Sequence, residues 1–319
     1  MRSKTPLWRS TPPAIFPVAL GFMGLGLAWR NAASVTSLPH EIGDLLLGLS
    51  TAFLIYFLAL YFLKALKRPA VVWEDMKTAP GRAGVAALPM ALMLLTAALL
   101  PFNVAVPVVW WTGVALQALV ILLGALSILS EAKELRGFTP FQYLSFVGPV
   151  VAPLAGVPLG FIKSTFALLI FSQIAWVVIS AGCLLKLLRV RPPPPLRPAL
   201  AIALAATSLM AIGYGMLGVD TGFDLFYGIA WALALALLAA GPWMMQGGWS
   251  PVWGAFTFPV ATFTNMQYLA LGHGHGGLAL AGLWAGLILG TPLILYIVYR
   301  ALMAFVQGAL AEKSAAAIA

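Results

Sequence analysis

Acidic side chains are scarce: nine Asp and Glu stand against eighteen Lys and Arg in 319 residues, and charged residues of both signs make up only 8%. A soluble domain carries about 25% charged residues, so this chain cannot build a water-exposed surface of ordinary size. None of the carboxylates falls well inside an apolar run. Glu41, Asp44, Asp220 and Asp224 sit near one end of their segments, and Glu131 and Glu134 near the other. Proton-driven pumps place ionisable groups within the membrane to relay charge, and their scarcity here argues against such coupling. Cysteine is nearly absent. The one copy, Cys183, lies inside an apolar run, which excludes a disulfide framework and a thiolate metal site and leaves a small packing residue. Among three histidines, His273-Gly274-His275 is the only metal-like pair, and two ligands in a glycine-flanked loop make an incomplete site. No acid, base, nucleophile or metal ligands converge, so the composition points away from an enzyme and from any cofactor.

What the chain has is apolar length. Hydrophobic residues make up 62% of it and the mean hydropathy is +0.98, values of an integral membrane protein. The net charge of +9 is spread over short loops between apolar runs, which does not fit nucleic acid binding and fits the positive-inside pattern. Ten runs are long enough to cross a bilayer, at about residues 14–30, 43–63, 84–101, 107–129, 141–159, 164–185, 198–217, 223–241, 252–271 and 278–299. The longest loop, about residues 64–82, is too short for a soluble domain, so residues 1–319 are expected to form one transmembrane domain. The first run resembles a secretory signal, with small residues at Asn31-Ala32-Ala33-Ser34. Arg30 beside that site argues against cleavage, and a retained helix is expected.

Basic residues fall on alternate loops. Arg2, Lys4 and Arg9, Lys64 to Arg82, Lys133 and Arg136, Lys186 to Arg197, and Arg300 and Lys313 share one side; only Arg30 and Lys163 lie on the other. That asymmetry places both termini in the cytoplasm and requires an even number of spans, in agreement with ten. Trp110 and Trp111 at one face, and Trp243 and Trp249 at the other, read as interfacial belts. Pro192 to Pro195 read as a stiff polyproline spacer in a cytoplasmic loop.

Proline inside the runs falls mostly on odd members: Pro17 in the first, Pro89 in the third, Pro149 and Pro153 in the fifth, Pro259 in the ninth. Pro292 in the tenth is the exception. The seventh carries Gly213, Gly215 and Gly218 instead. Irregular backbone at membrane depth survives only where protein or a water-filled cavity satisfies it. Repeated hairpins follow, with the bent member of each lining a cavity and the straight member facing outward. Phe258, directly before the Pro259 break, is placed where a ring can project into a pathway. Gln117, Gln173, Asn265 and Gln267 read as partners for freed backbone groups. Gly282, Gly286 and Gly290 form a stripe for close approach, either within the chain or between subunits, and Gly21, Gly24 and Gly26 leave room beside the first helix. Arg30 and Lys163 either draw anions to an outer mouth or contact lipid headgroups.

Several segments carry a resemblance in the same order along nearly the whole chain. They are Phe16-Pro17-Val18-Ala19-Leu20-Gly21-Phe22-Met23-Gly24-Leu25-Gly26-Leu27-Ala28-Trp29, Leu88-Pro89-Met90, residues 148–156 (GPVVAPLAG), Pro194-Pro195-Leu196-Arg197-Pro198 and Phe256-Thr257-Phe258-Pro259. The chain resembles the TehA family, the tellurite-resistance/dicarboxylate transporter group that includes malic acid transport proteins and the slow-type anion channels of plant guard cells. The resemblance implies ten transmembrane helices as five hairpins in quasi-fivefold arrangement around a central pore, assembled as a homotrimer in the inner membrane. It implies a phenylalanine gate from the ninth helix, carried onto Phe258 with Phe256 as the fallback, and a first-helix kink at Pro17 against that ring. The glycines of the seventh run stand where the family has a proline. The expected activity is passive permeation of small anions, with helix amino termini and the outer cations favouring them. The rival is a secondary carrier for C4-dicarboxylates or tellurite-type oxyanions, proton-coupled or not.

Overall fold

A computed structural model describes residues 6–132 and 136–319; Arg2, Lys4, Lys133 and Glu134 lie outside the described residues. The chain is all-α. Its helices are α1 (Phe16–Ala33), α2 (His40–Lys67), α3 (Ala70–Met76), α4 (Ala79–Leu99), α5 (Pro107–Ser130), α6 (Gln142–Phe146), α7 (Pro153–Gly156) and α8 (Ile162–Arg189). They continue as α9 (Ile202–Met216), α10 (Asp220–Ala239), α11 (Gly241–Met244), α12 (Gly254–Gly272), α13 (Gly276–Val306) and α14 (Ala309–Lys313). Eight helical segments among the described residues are long and apolar enough to cross a membrane.

Two of the ten expected runs are not among those eight, each for a visible reason. The fifth, 141–159, is not one helix: Pro149 and Pro153 each sit at the start of a new turn, dividing it into α6, a 3-10 stretch at Gly148–Val151 and α7. The ninth is α12, long enough at 19 residues. Its apolar character is diluted by Thr257, Thr262, Thr264, Asn265 and Gln267: Thr257 and Asn265 bond to α1 and Gln267 to α10, Thr264 lies against Gly286 of α13, and Thr262 is buried.

Packing separates the helices into two populations. In Pro13–Ala33, Ala79–Phe102 and Pro194–Met216, 78%, 72% and 78% of the most apolar stretch is buried. The figure is 33% for His40–Lys67, 28% for Pro107–Ser130, 17% for Ile162–Arg189, 22% for Asp220–Ala239 and 33% for Gly276–Val306. The well-buried elements touch one another in sequence. α1 packs on α12 and α4, α4 on α6 and α7, the α6–α7 segment on α9, and α9 on α12. Each poorly buried helix lies against a buried neighbour: α2 on α1, α5 on α4, α8 on the α6–α7 segment, α10 on α9 and α13 on α12.

Three sequence expectations need correction. Pro17 does not break the middle of a helix: a 3-10 turn at Pro13–Ile15 precedes α1, so Pro17 stands in the first helical turn, where its missing N–H is harmless. Gly213 is not the irregular point of the seventh run. It lies in the last turn of α9, where an added Cβ would come within 2.7 Å of Leu169, and the departure from α geometry is the 3-10 stretch Pro194–Ala201. Trp110 is not interfacial but fully buried, its Nε1–H donating to the Ala152 carbonyl at 3.1 Å. The glycine stripe of α13 is settled as an internal seam. Gly282 faces Gln267 of α12 and Trp231 of α10, while Gly286 faces Thr264 and Gly290 faces Val260, both on α12.

Candidate functional site

The buried elements enclose a cavity of about 250 Å³. α1 lends it Pro17 and Leu20, α4 lends Ala83 and Met90, and the broken segment lends Val147 and Val150. α9 adds Leu209, and α12 adds Ala255, Phe258 and Pro259. Its rim is built from residues just before these helices, Thr78, Pro195 and Ser250, together with Lys313 to Ala315. Residues at the opposite end, such as Arg30, Asn103, Lys163 and His273, do not line it. The cavity therefore opens toward the end of the molecule that carries most of the basic loops, and its walls are apolar. α1, α4, α9 and α12 all begin at this end, so the positive ends of four helix dipoles lie around the opening.

Phe258 forms part of the cavity wall and is only 6% exposed. Its ring is held between helices by close approach: an added Cβ at Gly24 of α1 would meet that ring at 3.7 Å and the Ala261 methyl at 2.9 Å. The α1–α12 seam is fastened by polar groups. Asn265 Nδ2 donates to the carbonyls of Gly24 (2.9 Å) and Ala261 (2.8 Å), and the Asn31 amide donates to Asn265 Oδ1 at 2.9 Å. Thr257 Oγ1 lies 2.8 Å from the Gly254 carbonyl and 3.2 Å from that of Pro17. Beyond the proline, Thr262 Oγ1 lies 2.9 Å from the Phe258 carbonyl. Phe256 faces elsewhere, edge-on to Trp253 with ring centroids 5.8 Å apart, and does not line the cavity.

A family model described as voltage-dependent anion channel matches residues 10–305, nearly the whole chain. The chain belongs to the voltage-dependent anion channel family. Comparison with individually curated proteins returns no match. Membership supports anion channel or transport activity and a multi-pass membrane protein embedded in lipid, and it bears out the family resemblance read from the sequence.

The polar residues singled out in the sequence divide into two groups. Gln117 does satisfy broken backbone: its Nε2 donates to the carbonyls of Leu144 (3.3 Å) and Ser145 (3.0 Å) in the segment split by proline. Gln267 and Gln173 instead accept from Tyr227 and Tyr214, joining neighbouring helices. Arg30 is not a free cation. Its guanidinium is paired with Asp44 and lies over the Phe102 ring at 5.1 Å, so its charge is compensated. Lys163 is exposed at the start of α8, away from the cavity. His273 and His275 diverge to separate carboxylates, Asp220 at 3.2 Å and Asp224 at 2.8 Å, and no group of three metal-ligating side chains forms among the described residues.

One cluster was not legible in the sequence. Lys64 is fully buried, with Nζ 2.9 Å from the Thr11 carbonyl and 3.4 Å from Asp75 Oδ2. The Tyr61 hydroxyl donates to the same oxygen at 3.1 Å, and the Ala317 amide donates to Oδ1 at 2.8 Å. Burial pushes the Asp75 carboxyl above the usual carboxylate range, against the pull of Lys64 and these hydrogen bonds. Lys64 carries the same signature as its exposed neighbours Lys67 and Arg68, and its burial depends on segments far away in the chain.

Proposed function

We propose that the chain is an anion channel of the inner membrane, with both termini cytoplasmic, in which small anions permeate passively through a pore gated by Phe258. In this reading the bilayer is crossed ten times, by the eight long helices, α12 and the broken 142–156 segment. They form five hairpins in quasi-fivefold arrangement, and three copies assemble as a homotrimer. The contacts of α1, α4, the α6–α7 segment, α9 and α12, each on the next, support a closed inner ring.

The observation that carries the reading is an apolar cavity contributed by all five of these elements, with the Phe258 ring in its wall. A bulky apolar ring in a narrow uncharged tube opposes wetting and ion entry. The amino ends of four helices around the opening favour anions over cations there. Phe258→Ala, reconstituted in planar bilayers, is expected to raise anion conductance at least tenfold. An unchanged current from normally inserted protein removes the gate from this residue. Phe256→Ala is the control and is expected to leave the conductance as it was. The coupled carrier for C4-dicarboxylates or tellurite-type oxyanions has no specific feature of the cavity in its favour, since no carboxylate or histidine lines it among the described residues.

A further inference from the structure

The cavity's lining is apolar with one charged exception, and that exception comes from neither a spanning helix nor a loop between two of them. After α13 the backbone turns at Gly308, whose φ of 75° lies in the left-handed region, and α14 brings Lys313, Ser314 and Ala315 to the cavity rim. Ala315 is itself left-handed, at φ 50°, a conformation L-alanine adopts only when the surroundings hold it. What holds it lies immediately beyond. The Ala317 amide donates to Asp75 Oδ1 at 2.8 Å, the Ile318 carbonyl accepts from Arg68, and the Ala319 amide donates to the Arg9 carbonyl at 3.1 Å. These are bonds across 242, 250 and 310 positions of sequence, to three different parts of the chain. The buried Lys64, Tyr61 and Thr11 groups fix Asp75 in turn, so the anchor is rigid.

Lys313 is exposed, and its side chain makes no hydrogen bond or ion pair with the described residues. Its nearest charged neighbour in sequence, Glu312, does not line the cavity, and Asp75 is already compensated by Lys64. Among the described residues Lys313 is thus the one charged side chain in the lining, held in place by the anchored segment.

We propose that Lys313 is the charge-selecting residue of the anion pathway, a cation that concentrates small anions at the open end of the cavity and repels cations, positioned there by the anchoring of residues 317–319. This rests on the pore reading and deepens it, because the gate and the charge filter are then different residues at different depths. Removal of Phe258 opens the route, and the charge at residue 313 decides which sign of ion enters it.

The test uses the full chain in planar bilayers under a KCl gradient, in the Phe258→Ala background. Lys313→Glu is expected to lower the chloride-to-potassium permeability ratio about threefold, because two charge units at roughly 10 Å in water, screened at about 0.1 M salt, shift the two ions in opposite directions. Lys313→Arg is expected to preserve the ratio, and deletion of residues 317–319 to lower it while leaving Lys313 present. An unchanged ratio in Lys313→Glu with current intact overturns the inference and leaves the pore standing. Absence of any Phe258→Ala current removes the gate from Phe258, and a second readout, independent of current, then decides the placement of the charge. In protein carrying Cys183→Ser and Ser250→Cys, the new thiol on the rim should react faster with a sulfonate-bearing thiol reagent than with its quaternary ammonium counterpart. Lys313→Glu should shift that preference by about threefold at about 0.1 M salt; an unaltered preference places Lys313 away from the rim and sinks the inference.

Discussion

At the scale of single residues, the site depends on missing side chains as much as on present ones. A Cβ built on Gly21 would lie 2.2 Å from Thr257 Cβ and 2.6 Å from its backbone carbonyl carbon. The obstruction is partly main chain, so no rotamer change relieves it, and α1 and α12 would have to separate. Gly21→Ala is therefore expected to cost about 1–3 kcal/mol, read as a lower thermal midpoint in detergent. Gly272→Ala, where nothing lies within 4 Å of the added atom, should leave the midpoint near that of the parent chain and serves as the comparison. The small residues of α1 were visible in the sequence as room for a neighbour. Which neighbour was not: Gly21 and Gly24 face α12, whereas Gly26, on another side, faces Leu47 of α2. Spacing along one helix says that a groove exists and is silent about what fills it.

At the scale of elements, the breaks were legible and their compensation only in part. Pro149 and Pro153 announce a discontinuity because each removes a donor wherever it falls. The structure adds that Gln117 of α5 reaches across to two of the exposed carbonyls. Gln117→Leu should destabilise the chain by about 1 kcal/mol. That is below the full cost of stranding two buried carbonyls, because Gln117 Oε1 is itself buried without a partner and its removal offsets part of the loss. The Lys64–Asp75 pair makes a sharper case. Both side chains are essentially inaccessible, at 0% and 1%. Lys64→Met leaves an uncompensated carboxylate and should cost about 3–5 kcal/mol, whereas Lys64→Met with Asp75→Leu should recover most of it. Thermal melts of the two singles and the double complete the cycle, and additive losses would show that the two charges do not act as a pair. No pattern in the sequence could separate Lys64 from Lys67, since the partner that buries it lies in another helix and the covering segment lies near residue 317.

At the scale of the whole molecule, burial rather than hydropathy sorts the helices. The least buried of them, α8, has a mean hydropathy of 2.2 in its apolar stretch, and Pro13–Ala33, among the most buried, has only 1.3. A helix facing lipid must be apolar all round, while one facing neighbouring helices can carry threonine, asparagine and glutamine that bond across the seam. The same logic hid α12 from a pure hydropathy criterion and makes it informative, because its polar side chains are the stitches that hold Phe258 at the cavity wall. It also bears on energy coupling. A carrier driven by protons needs a group in the pathway that gains and loses one as the substrate moves. The charged lining here is Lys313 alone among the described residues, at the rim rather than at depth. In the Phe258→Ala protein under opposed chloride and pH gradients, the reversal potential should follow chloride and stay fixed as the pH gradient is varied. A potential that moves with the pH gradient at constant chloride would require protons to cross with the anion, and the pathway would then be a carrier's alternating site rather than a gated pore.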